Sequence, residues 1–416
     1  MLSCWKKNAT VFLFFIILVF PLWANLSIFF LLLIFIFGLY FAFSERPIIN
    51  KYRKKYFSIM VIYSLGFVLY EYSFSQRDPL VVLSWNAGMA VASILLIILP
   101  SQPKNSRNFG AWSGIALAII GLVGFIIIYN CELLSSHSLG SAFFQKRNCA
   151  GPTLHFLSRN SLMVASMILV ISHLSLLNSG TYLKKLFGVL GYIFGFLIII
   201  FELDSRGASL AFILMSPIAF EYLRRREAMK ALKAYLIFSS VLLSIVSLTI
   251  YFLPAHKINR YQSAYHQLLN LDTSTKIDGT AYARVVTYEA ALDAIREEPL
   301  WGYGMSNRWN ALEPYIDTYS NENGHSNNVF LNHFLSAGVL GGLILVLLVL
   351  FPIYAKIRTP LKNRDEIFVS IVVAASLFGN GMTTAIFGHY MHSTFWACCL
   401  VFSLVIKFKD EMEHKS

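Results

Sequence analysis

Three residues in this chain are of the types that phosphate and hydroxyl chemistry requires: Arg206, Arg284 and His325. Arg206 stands in Asp204-Ser205-Arg206-Gly207, at the edge of an apolar stretch. A guanidinium grips a phosphate through two parallel hydrogen bonds, and charge at membrane depth is costly enough that function is the first reading for it. The plainer reading is an interfacial anchor, because arginine snorkels from helix ends. Arg284 lies in a long polar segment, where an arginine is commonly just solvated, and Arg147 and Arg159 carry less weight still. His325, in Gly324-His325-Ser326-Asn327-Asn328, directly precedes another apolar stretch. Histidine is the natural general base near neutral pH, and equally a common interfacial polar residue. His333 falls inside that stretch and could face the same cavity. There is no Gly-Lys-Ser/Thr phosphate loop, no Gly-x-Ser-x-Gly elbow, no zinc-like Cys/His spacing and no helical histidine pair with a glutamate. No metal or cofactor is expected.

The elements that must position these residues are membrane spans. The chain is 56% hydrophobic and 13% charged, against roughly 25% charged in soluble domains. About 20 apolar residues cross about 30 Å of hydrocarbon. Such stretches occur near 9–24, 26–43, 57–74, 80–99, 110–129, 161–178, 185–203, 206–223, 235–254, 329–355, 366–383 and 390–406. The close pairs 9–24 with 26–43 and 185–203 with 206–223 read as tight hairpins or, alternatively, as single kinked elements. No small-residue cleavage site follows the first run, which therefore reads as a retained span. The expected fold is an all-α integral membrane protein of about twelve transmembrane helices, with one large extracytoplasmic loop containing short helices. Residues 1–254 hold nine spans and an outward loop at 130–160; 255–328 form the large loop; 329–416 hold three more spans and a tail.

Lysine and arginine set the orientation. Lys6 and Lys7, Arg46 with the cluster Lys51 to Lys55, Lys104 and Arg107, Lys184 and Lys185, Arg224 to Arg226 with Lys230 and Lys233, and Lys356, Arg358, Lys362 and Arg364 recur on alternate connections, and the tail adds Lys407, Lys409 and Lys415. Both termini are therefore expected in the cytoplasm and the 255–328 loop outside. The net charge of +12 is mostly this asymmetry. Such clusters favour anionic membrane lipid, so nucleic acid is an unnecessary partner. Cys4, Cys398 and Cys399 read as apolar fillers, whereas Cys131 and Cys149 share an outward loop where an oxidising compartment permits a disulfide.

Within the large loop, Thr280 is placed to cap a helix over about 281–297, ended by Pro299. Ala281, Val285, Tyr288, Leu292 and Ile295 recur at helical spacing as an apolar stripe suited to an interface. Tyr261, Tyr265, Tyr282, Tyr288, Tyr303, Tyr315 and Tyr319 read either as an aromatic belt or as platforms for sugar rings.

Several short motifs then resemble one family. Ser205-Arg206-Gly207-Ala208 is similar to the Ser-Arg-Gly-Ala of bacterial O-antigen ligases. Glu298-Pro299-Leu300-Trp301-Gly302-Tyr303-Gly304 resembles that family's Asn-Pro-(x)-x-Gly-Tyr-Gly, and Ala283-Arg284 matches a loop arginine of some members. Asn327-Asn328-Val329-Phe330-Leu331, followed by Ser336-Ala337-Gly338-Val339-Leu340-Gly341, looks like its His-Asn-x-x-Leu and Ala-Gly-x-x-Gly. The resemblance covers roughly residues 155 to 345.

It implies a glycosyltransferase at the periplasmic face of the bacterial inner membrane. A glycan would move from an undecaprenyl-diphosphate carrier onto the outer-core sugar of lipid A–core, with neither metal nor nucleotide. Arg206 and Arg284 would hold the diphosphate, and Asn327, Asn328, Gly338 and Gly341 would belong to the acceptor-side motifs. The family's histidine aligns with Asn327, and asparagine is no base near pH 7. The base is then His325, or the diphosphate leaves with acceptor positioning alone. An O-antigen polymerase or a protein O-oligosaccharyltransferase would use the same donor. A transporter of lipid-linked sugars also suits twelve spans, but transporters typically show two related halves, and these halves differ in their loops.

Overall fold

The computed structural model describes residues 51–75, 280–316, 328–358, 364–382 and 390–405, with short pieces at 92–96 and 215–218 and a few single residues elsewhere. Among these the chain is helical, with turns and no strand. The helices are α1 (Lys51–Ser75), α2 (Thr280–Glu297), α3 (Arg308–Leu312, followed by a 3-10 turn at Glu313–Tyr315), α4 (Val329–Ile357), α5 (Arg364–Gly381) and α6 (Tyr390–Val405). Four of them coincide with expected apolar stretches, and α2 with the expected loop helix, which begins at Thr280 itself. Among the described residues only α4 is long and apolar enough to cross a membrane, with a mean hydropathy of 2.7 in its most apolar window. The twelve-span topology reaches beyond the described residues.

α4 lies at the centre, packed against α1, α2, α5 and α6. α1 runs antiparallel to it. The Tyr52 hydroxyl donates to the Arg358 carbonyl at one end (3.3 Å), Tyr56 to Leu348 further along (2.8 Å), and Tyr63 meets His333 beyond that (2.8 Å). The basic cluster that starts α1 therefore shares an end of the pair with Lys356 and Arg358. At that end the buried Lys356 ammonium pairs with the buried Glu366 of α5 at 2.8 Å. α6 buries Phe395 and Trp396 together with Cys398 and Cys399, which are free thiols, as expected of apolar fillers.

Two interruptions shape α4. Pro352 has no N–H, so the Leu348 carbonyl one turn earlier loses its helical partner. Tyr56 supplies the missing donor. In an apolar span an unpaired carbonyl costs several kcal/mol by transfer estimates (roughly 2–7), which explains a buried tyrosine at this position. The second break is at Ala337 (φ −142°, ψ 30°) and Gly338 (φ 55°, ψ −149°), where the helix bends and restarts.

The buried face of α2 departs from the expected stripe. Thr287, Ala290, Ala291 and Ala294 are buried, and Leu292 is 47% exposed. The alanines pack with Leu312 of α3 and Leu335 of α4. Small side chains let three backbones approach at one point, so close packing rather than apolar size selected the buried face.

Candidate active site

The break in α4 is the anchor of the site. Losing helical φ/ψ at Ala337 and Gly338 frees carbonyls in the preceding turn and N–H groups in the following one. The segment Glu298–Gly304 lies across the break and completes them. Tyr303 N donates to the Leu335 carbonyl at 2.7 Å and Gly304 N to the Ser336 carbonyl at 2.9 Å, while Val339 N donates back to the Pro299 carbonyl at 2.9 Å. This contact needs glycine on both sides. Gly302 has φ 69°, and a Cβ there would sit 2.6 Å from the Leu335 carbonyl oxygen; a Cβ on Gly338 would overlap the Leu300 carbonyl. Two motifs that stand apart in the sequence are thus the two halves of one backbone junction. Gly341, one turn beyond the break, faces the His333 carbonyl.

Contacts with α1 and α2 fasten the same segment. The Tyr70 hydroxyl donates to the Trp301 carbonyl, and the Tyr303 hydroxyl donates to the Ala294 carbonyl at 3.0 Å. Glu71, wholly buried near the end of α1, accepts from Met305 N at 2.6 Å, from Ser306 N at 2.8 Å and from the Ser306 hydroxyl. Charge-assisted bonds of this kind are roughly twice as strong as neutral ones, so Glu71 ties α1 firmly to the loop. Arg308 follows, 8% exposed, with Nε donating to the Met305 carbonyl at 2.9 Å. Burial pushes its pKa down to about 10, against the pull of Glu71 and Tyr63, so it stays cationic at neutral pH.

His333 is buried in this layer with both ring nitrogens occupied. Nδ1 lies 2.6 Å from the Val329 carbonyl, and Nε2 lies 2.8 Å from the Tyr63 hydroxyl. A carbonyl only accepts, so the proton is assigned to Nδ1 and Nε2 receives the tyrosine O–H. Tyr63 and Phe67 pack against the ring. The expected cavity-facing histidine is instead a packing residue that joins α1 to α4.

At the start of α4, Asn328 caps the helix. Its side-chain oxygen accepts from Phe330 N at 2.9 Å and Leu331 N at 3.2 Å. Ser326, also buried, donates from its hydroxyl to Asn332 Oδ1 at 2.9 Å. Tyr288 of α2 reaches this end, its hydroxyl donating to the Met382 carbonyl just past α5. Burial raises the Tyr288 pKa, while the Arg284 charge and a hydrogen bond with Asn328 lower it. Arg284, half-buried one turn before Tyr288, thereby sits close to the Asn328 end of α4.

The structure thus brings Arg284, Asn328, Gly338 and Gly341 to the Val329 half of α4. Arg206, His325, Asn327, Cys131 and Cys149 lie outside the described residues. Reasoning from sequence passed over Glu71, Ser306 and Arg308. One signal was present: Glu71 is an acidic residue at the end of an apolar stretch, where charge is rare and needs partners. Nothing in the sequence pointed to those partners.

Among the described residues the chain is helical, with a loop docked on the polar half of a twice-broken central helix that is long and apolar enough to cross a membrane. Residues 191–346 match the family model described as O-antigen ligase. The matched region holds α2, α3, the docked loop and the first part of α4. No curated protein matches the chain significantly.

Proposed function

We propose that this protein is an O-antigen ligase, which transfers the glycan of an undecaprenyl-diphosphate-linked O-antigen onto the outer-core sugar of lipid A–core. The observation that carries this reading is the O-antigen ligase match over 191–346. The reaction takes place at the periplasmic face of the bacterial inner membrane. The chain crosses that membrane about twelve times, with both termini cytoplasmic and residues 255–328 outside. The antiparallel α1–α4 pair supports this orientation, because its basic residues gather at one end and the docked loop at the other.

Arg206 and Arg284 hold the diphosphate, and His325 takes the proton of the acceptor hydroxyl. The acceptor oxygen bonds to the anomeric carbon, and the bond to the diphosphate breaks with its electron pair on the leaving group. Arginine charge stabilises that departing anion where water is scarce. Support for this assignment is that Arg284 lies near Asn328, which follows His325 closely in sequence. Asn328, Gly338 and Gly341 serve the arrangement as framework, by capping and bending α4.

The test is a gel of lipopolysaccharide from a deletion strain. Core-only lipopolysaccharide, with polymer accumulating on the lipid carrier, is the expected result. Core bearing a single repeat would instead make the protein a polymerase, and normal lipopolysaccharide with altered glycoproteins would make it a protein O-oligosaccharyltransferase. A cysteine introduced at Asp272 should react with an impermeant thiol reagent in intact spheroplasts; labelling only after lysis would reverse the orientation.

A further inference from the structure

Burying a guanidinium is expensive unless its N–H groups are all paired, since an unpaired buried polar group costs about 1–3 kcal/mol and more when charged. Arg308 is 8% exposed, yet its Nη1 is buried with no hydrogen-bond partner among the described residues. Its Nε donates to the Met305 carbonyl at 2.9 Å, and that bond fixes the plane of the group. The groups that attract it electrostatically serve other donors and acceptors. Glu71 receives Met305 N, Ser306 N and the Ser306 hydroxyl, and Tyr63 gives its hydroxyl to His333. A loop staple would need Nε alone. What remains is a fixed, cationic guanidinium whose buried Nη1 has no acceptor among the described residues, within the stretch that matches the O-antigen ligase model and beside the junction at the α4 break.

We infer that Arg308 is a further binding residue for a phosphate group of the lipid-linked substrate, acting alongside Arg206 and Arg284. The inference rests on the donor assigned above. Planar guanidinium N–H groups match phosphate oxygens, and an incoming anion would complete the buried Nη1. Two sources offer that chemistry: the donor diphosphate and the phosphate of an anionic phospholipid headgroup. The structural argument is the same for both, and the proposal commits to the donor.

The test uses the full-length protein in phosphatidylcholine nanodiscs, with geranyl diphosphate as the probe and thermal unfolding and binding affinity as readouts. Wild-type protein should bind the probe. Arg308→Met should weaken binding by roughly 10- to 150-fold, the range for losing a bond to a charged group. Arg308→Lys, which keeps the charge and loses the fork, should fall between; it also carries the test alone if the methionine variant does not fold. Unchanged affinity in the folded variants, with a lowered unfolding temperature, would make Arg308 a staple and overturn this inference while leaving the donor reading intact. Absence of binding by wild type overturns both. Repeating the unfolding in phosphatidylglycerol nanodiscs separates the sources: Arg308-dependent stabilisation there, without any effect on geranyl diphosphate affinity, would assign the phosphate to a headgroup and overturn the donor assignment.

Discussion

At Pro352, α4 loses one backbone hydrogen bond, and a single hydroxyl, that of Tyr56, replaces it. At Ala337 and Gly338 it loses several, and a segment of another region, Pro299–Gly304, replaces them with its own backbone. Both breaks lie in the one helix among the described residues that is long and apolar enough to span a membrane, where water cannot repair them. The first repair uses a side chain from a neighbouring helix and adds nothing else. The second holds a loop that bears Glu71's partners and Arg308, and it adjoins the helix end capped by Asn328. A break repaired by backbone from a distant segment fixes that segment in position, which makes it a scaffold for polar groups. A break repaired by a hydroxyl only preserves the helix.

The comparison can be tested by breaking each side in turn. The largest effect is expected at the polar end. His325→Ala should lower transfer by about 10²–10⁴-fold if it is the base. Asn327→Ala should cost less, and Asn327→His placed in the His325→Ala background should restore part of the activity. Wild-type ligation by His325→Ala would leave electrostatic stabilisation of the diphosphate as the principal catalytic effect. Next comes Arg206: Arg206→Ala should reduce transfer roughly 10- to 150-fold at matched protein level, and Arg206→Lys strongly too, because the bidentate fork is lost with the charge retained. Near-normal ligation would reduce Arg206 to an anchor.

The junction itself follows. Gly338→Ala places a Cβ against the Leu300 carbonyl at a positive φ, which alone costs roughly 1–2 kcal/mol. Expulsion of the docked loop should cut transfer by about 10-fold or more and make the 298–304 segment sensitive to proteolysis. Retained activity with an intact loop would show that the junction tolerates rearrangement. Glu71→Gln should be milder. It keeps an acceptor but removes the charge from three donors, so the unfolding temperature should fall with a loss on the order of 1–3 kcal/mol. The smallest effect on transfer belongs to the apolar break. Tyr56→Phe leaves the Leu348 carbonyl unpaired and should cost about 1–3 kcal/mol in stability, with transfer per folded molecule unchanged. A drop in transfer as large as that of Gly338→Ala would erase the distinction between the two breaks.

By itself the sequence determined what local chemistry controls. Hydropathy and length placed α1, α4, α5 and α6, because about 20 apolar residues in water-poor surroundings have few alternatives to helix. Periodicity and Pro299 located α2 between Thr280 and Glu297. Motif order indicated the likeness to O-antigen ligases and singled out Arg284, Asn328, Gly338 and Gly341. Local rules could not decide which face α2 buries, because alanines win there through close contact with Leu312 and Leu335 rather than through hydrophobicity. Nor could they reveal that Glu71 bonds Met305 across 234 residues, or that His333 meets Tyr63 across 270. Those pairings depend on α1 lying antiparallel to α4 with the loop folded over the break. Only the tertiary structure brings such distant donors and acceptors within hydrogen-bond reach, and only there does the need to pair the backbone groups freed at the two breaks give Gly302, Gly338, Tyr56 and Tyr303 their tasks.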